Sequence, residues 1–185
     1  MFRFNLRLLV ALITFGIGVL FVSFGIIENS VKTPFQELPF QPSNQTESQE
    51  STEITLERTA CFGDCPDYKL TISGDGTIVF EGRKFVKTNG IVKSKIDSEK
   101  IQQIINEFEK AKYFSLNDKY VNEGDGCPEV WTDSPTARTS IKINGKTKSI
   151  IHYYGCQEKG FVYPQALTKL ESKIDEIVST KQWVK

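Results

Sequence analysis

The chain has 185 residues, 39% of them hydrophobic and 25% charged, with 23 basic and 23 acidic side chains. That balance suits one globular domain with additions. No like-charge run and no basic stripe occurs, which argues against a nucleic-acid partner.

Leu8 to Ile27 reads LLVALITFGIGVLFVSFGII, 20 residues without a charge. As a helix it would span about 30 Å, the thickness of a bilayer's hydrocarbon core. Arg3 and Arg7 precede it and Glu28 follows, which predicts a short cytoplasmic N-terminus over 1–7 and a transmembrane anchor over 8–27. The expectation is a single-pass protein of the cell membrane, partnered by the bilayer through this helix, with its C-terminal domain extracytoplasmic on the periplasmic side. The competing reading is a cleaved signal peptide with Ser23-Phe24-Gly25 as the small-x-small site, although such apolar regions usually run only ~7–15 residues. Either way the remainder, with 21 basic and 23 acidic side chains, is exported.

Residues 28–53 carry Pro34, Pro39 and Pro42 among Gln, Ser, Thr, Asn and Glu, too little apolar surface to fold. They read as a disordered linker. Its sequon Asn44-Gln45-Thr46 matters only in a eukaryotic secretory pathway.

From Ile54 to Lys185 an α+β domain is expected. Ile54 and Leu56, then Tyr68, Leu70 and Ile72, then Ile78 and Phe80 alternate with polar residues, as half-buried antiparallel strands do, and Gly74-Asp75-Gly76 turns between two of them. A short strand pair around Thr88-Asn89-Gly90 would complete a meander. Asp97 is a good helix N-cap, with Ile96 and Ile101 placed as a hydrophobic staple. Ile101, Ile104, Ile105, Phe108 and Ala111 follow the helical period. Residues 115–135 read as irregular. Ala137, Thr139, Ile141 and Ile143 predict a strand, Asn144-Gly145 a tight hairpin turn, and Lys148–Tyr154 the returning strand. Pro164 opens a last helix at its first turn, with Leu167, Leu170, Ile174 and Ile177 facing inward and Trp183 folding back. The expected architecture is an antiparallel sheet (β-meander, helix, β-hairpin, helix) with the helices on one face, preceded by one N-terminal transmembrane helix.

Cys61, Cys65, Cys127 and Cys156 all lie in the exported part, and an even count in an oxidising compartment favours disulfides. Three pairings are possible. An extended chain would hold Cys61 and Cys65 ~13 Å apart, whereas a disulfide needs Cα atoms within ~7 Å. Gly63-Asp64 supplies turn chemistry between them. A redox pair would need a C-x-x-C frame and a nearby cation or helix N-terminus; here the spacing is C-x-x-x-C, the neighbours are Asp64 and Asp67, and a strand follows. Four-cysteine zinc would need closer spacing of Cys127 and Cys156.

The segments CFGDCPDYKLTISGDGTIVFEG and TDSPTARTSIKINGKTKSIIHYYG, with the terminal KQW, resemble an uncharacterised bacterial domain family marked by C-x-G-x-C-P-x-Y. The resemblance runs from Ile54 to Trp183. It implies a small, often exported α+β domain without established activity, with Cys61, Gly63, Cys65, Pro66, Tyr68 and Asp133 as marked positions. It also implies that Cys127 and Cys156, outside the family's core pattern, pair with each other.

His152 is the only histidine and sits mid-strand. Asp125 and Asp133 invite a calcium reading, but lack the acidic spacing of an EF-hand. No metal or other cofactor is expected. Trp131, Asp133, Tyr153, Tyr154, Phe161 and Tyr163 lie in two loops that a Cys127–Cys156 bond would bring together, and aromatic loops on a rigid sheet suit an envelope protein, a peptide or a glycan. The expectation is a non-catalytic binding module. The alternative is a small exported thiol enzyme or hydrolase using Cys61 or Cys65 with His152.

Overall fold

The computed structural model describes residues 51–184. Alternation of apolar and polar residues builds the first three strands, β1 (Glu53–Arg58), β2 (Asp67–Ser73) and β3 (Thr77–Lys84), and β4 (Gly90–Lys95) follows at the sheet edge. Helix α1 (Ser98–Lys110) starts where Asp97 accepts a hydrogen bond from the Lys100 N–H at 2.8 Å. Two-residue strands β5 (Lys119–Tyr120) and β6 (Glu129–Val130) come next, then β7 (Thr136–Ile143) and β8 (Lys146–Tyr153). The chain closes with β9 (Cys156–Glu158), β10 (Phe161–Val162) and helix α2 (Gln165–Val178).

The main sheet has seven strands in the order β4-β3-β2-β1-β7-β8-β5. β1, first in the chain, lies at its centre because β7 returns to pair with it, Ile54 against Ile141 and Arg58 against Ala137. Period-two geometry then divides the strands between two faces. Ile54, Leu56, Tyr68, Leu70, Ile72, Ile78, Phe80, Ile141 and Ile150 form one buried face. Ile101, Ile104, Ile105 and Phe108 of α1 and Leu167, Leu170, Ile174 and Val178 of α2 join the same core. The opposite face is polar: Glu81, Lys69, Glu57 and Arg138 stand opposite one another across four strands, so charges of alternating sign face solvent. Trp183 folds back and stacks on Phe80 with ring centroids 5.0 Å apart, while its carbonyl accepts from the Lys87 and Thr88 N–H groups.

The expected architecture needs correcting. The main sheet is only mostly antiparallel, since β5 pairs parallel with β8. A separate three-stranded sheet, β10-β9-β6, occupies segments read as irregular. Such short strands show no alternation for a sequence pattern to reveal. Among the described residues no helix is long and apolar enough to cross a membrane, and the transmembrane helix expected ahead of the domain is not among the elements described. The stretch 8–27 on which that expectation rested, and residues 28–50 of the expected linker, lie outside the described residues. Pro164 is extended (φ −83°, ψ 138°) and sits just before α2, instead of in its first turn.

Candidate functional site

Pairing of β1 with β7 and of β7 with β8 brings the loops 59–66, 131–135 and 154–164 to one end of the main sheet. Two disulfides brace this end. Cys61 is bonded to Cys65 with Cα atoms 5.5 Å apart, and Cys127 to Cys156 with Cα atoms 5.4 Å apart. Gly63 takes φ +149° inside the small ring. The larger bond ties the 127–135 loop to β9, and β6–β9 pairing extends the seam. Main-chain bonds knit the loops together: Phe62 N–H to Asp133 O, Trp131 N–H to Gly155 O at 2.7 Å, and Tyr154 N–H to Pro135 O at 2.9 Å. Gly155 has to be glycine, since a Cβ there would collide with the Trp131 carbonyl.

Large apolar side chains lie open at this end. Phe62 is 90% exposed, Phe161 63% and Trp131 50%, and Val130 and Phe85 add smaller areas. The sequence-predicted residues separate. Trp131 and Asp133 are exposed, with the Trp131 indole N–H donating to Glu129 at 2.7 Å and the Asp133 backbone at φ 68°. Tyr153, Tyr154 and Tyr163 are only half-buried, and each is engaged within the fold. The Tyr153 hydroxyl accepts from the Ser134 N–H, and the Tyr163 ring meets Tyr120 edge-on with centroids 5.8 Å apart. Phe161, expected among the loop aromatics, stands exposed; Phe62 was missed, and the signal available was a phenylalanine between two bonded cysteines.

Beneath the loops runs a polar network that the sequence reading also missed. Helix α2 presents Glu171 and Asp175, one turn apart, toward the sheet. The Glu171 carboxylate accepts from the Tyr154 hydroxyl at 2.6 Å and the Thr139 hydroxyl at 3.3 Å, and lies 3.1 Å from His152 Nδ1. His152 Nε2 lies 3.2 Å from the Tyr163 carbonyl oxygen, so oxygen atoms flank both ring nitrogens. Asp175 accepts from the Tyr68 hydroxyl at 2.6 Å, from Thr180 at 2.9 Å, and pairs with the Arg58 guanidinium at 2.9 Å. Arg58 also donates to the Tyr154 hydroxyl at 2.8 Å, which links the two halves.

Burial, then the Asp175 carboxylate, pushes the Tyr68 phenol well above the ordinary tyrosine range. Burial and Glu171 do the same to Tyr154 and to Tyr113, whose hydroxyl donates to the Thr139 carbonyl. For Arg58 burial works against the cation, but Tyr154, Asp175 and Tyr68 outweigh it and hold the guanidinium above its usual value. His152 and Glu171 are both fully buried, so no substrate reaches them. None of the four cysteines is free. A thiol enzyme built on Cys61 or Cys65 with His152 therefore has neither nucleophile nor accessible base. Among the described residues no group of three His, Cys, Asp or Glu side chains is placed to hold a metal ion.

Fold and surface together define an α+β domain with one sheet face covered by two helices, its loop end held by two disulfides. Residues 52–178 match a domain family of unknown function, DUF6438, and the chain belongs to that family. No curated protein matches the chain.

Proposed function

We propose that this domain is a non-catalytic binding module that works outside the cytoplasm and takes a protein or peptide of the envelope at its disulfide-braced end. The observation that carries this reading is the exposure of Phe62, Trp131 and Phe161 on loops that two disulfides and a neighbouring sheet hold in place. Rings of this size left in water on a braced surface are the usual anchors of an interface. Two structural disulfides support an oxidising compartment.

The test is site-specific photo-crosslinking in the exporting cell. A photoreactive phenylalanine analogue replaces Phe62, Trp131 or Phe161, with Asn144 and Lys93, both exposed and away from this end, as controls. The expected outcome is one adduct of the same mass from the first three positions and none from the controls. Adducts from all five alike, or from none, would overturn the reading.

A further inference from the structure

We infer that the partner taken by the aromatic end is a cationic peptide segment, one that presents arginine or lysine beside apolar side chains. This rests on the binding reading above and adds the chemistry of the occupant.

The charges of the three loop segments are unequal. Within 59–66, 129–135 and 154–163, the segments that carry Phe62, Trp131 and Phe161, stand Asp64, Glu129, Asp133 and Glu158, all exposed, against the single cation Lys159, while the exposed Lys84 and Lys87 flank Phe85 in the neighbouring connection. No ion pair joins any of these four acids or Lys159 to another of the described residues. The carboxylates of Glu129 and Asp133 accept only from near neighbours, the Trp131 indole N–H and the Thr132 hydroxyl. By contrast, neighbouring acids in the sheet and on α2 already have ion-pair partners: Glu57 and Asp67 share Arg83, and Asp175 pairs with Arg58. Four acids without an ion-pair partner thus stand among the exposed rings.

That combination selects an occupant. A ring face with a carboxylate beside it attracts a cation both through the ring quadrupole and through the net charge. Arginine suits it best, because a planar guanidinium stacks on the ring while donating to the acid. An anionic membrane surface is disfavoured, since insertion of the rings would bring four carboxylates against lipid of the same sign. An acidic peptide is disfavoured for the same reason.

The test uses the full-length chain and two fluorescein-labelled hexapeptides, one alternating arginine and leucine, the other alternating glutamate and leucine, read by fluorescence anisotropy. The arginine peptide is expected to bind about tenfold or more tightly, and to weaken as salt rises. A variant carrying Glu129→Gln, Asp133→Asn and Glu158→Gln should lose about tenfold of that affinity, as three exposed ion pairs would supply. Equal binding of the two peptides, no binding of either, or an unchanged affinity in the neutralised variant would overturn the cationic partner. If the crosslinks from Phe62, Trp131 and Phe161 persist in that case, the binding surface stands and only its charge preference falls. If the crosslinks also fail, the binding reading falls with it.

Discussion

At one end of the main sheet β2 passes to β3 through Gly74-Asp75-Gly76, and β7 to β8 through Asn144-Gly145; at the other, β1 passes to β2 through residues 59–66, and β8 to α2 through a loop, two short strands and a further turn. The short turns satisfy themselves locally. Asn144 and Gly145 both take positive φ, 50° and 72°, as a two-residue hairpin requires, and Asp75 accepts from the Thr77 N–H and hydroxyl. Those two bonds hold the Asp75 carboxyl below its usual range. The long loops have no comparable local solution, and ordering them costs backbone entropy at each residue. Covalent bonds above and a buried polar network below constrain them instead. What that constraint leaves exposed includes three large rings, which folding alone does not require.

The largest effect should come from the network. Removing either buried partner leaves several hydrogen-bonding groups unsatisfied and opens a cavity, so His152→Ala or Glu171→Ala should cost about 3–5 kcal/mol in urea unfolding. A cost below about 1 kcal/mol would show that the loop end does not depend on the network.

The two disulfides should rank by loop length. Chain entropy alone gives about 3.5 kcal/mol for Cys127–Cys156 and about 2 kcal/mol for Cys61–Cys65. Urea titrations of the two double-serine variants check the order, and the reverse order would mean that the small ring carries more of the loop end than its size implies.

Alkaline pH addresses the network separately. Tyr68, Tyr113 and Tyr154 keep their protons in the folded chain above the ordinary tyrosine value of 10.0, whereas the unfolded chain ionises there. Their contribution is complete below pH 10 and is lost as pH rises beyond it, by up to about 1.4 kcal/mol per pH unit for each tyrosine. Stability measured against pH should bend downward near pH 10, and Tyr68→Phe should make the descent shallower. At the turn end the expected effect is smaller: Gly145→Ala, strained at φ +72°, should cost about 1 kcal/mol by thermal unfolding.

Much of the fold was legible in particular residues. The alternation through Ile54–Leu56, Tyr68–Ile72 and Ala137–Ile143, the Asp97 cap, the stripe of α2 and the Asn144-Gly145 turn are local signals, and the structure forms the elements they predict. The implied pairing of the cysteines is the one observed. The central place of β1 was not legible, because β7 reaches it across some 80 residues and no local pattern records such a partner. β5, β6 and β10 have two residues each, too few to show a period. Glu171 carried no signal in the sequence; only the arrival of Tyr154, His152 and Thr139 on the sheet gives it partners and makes its burial tolerable. The same non-local packing turned the Tyr154 hydroxyl inward, although its loop is rich in exposed rings.

On the proposed reading, the rings at the loop end are there for a partner and not for folding. The most direct measurement is the urea midpoint of a full-length variant carrying Phe62→Ala, Trp131→Ala and Phe161→Ala. Exposed side chains contribute little to stability, so the variant should unfold within about 1 kcal/mol of the parent chain. A loss of about 3 kcal/mol or more, the size expected when buried rings are removed, would contradict it and return these rings to the core.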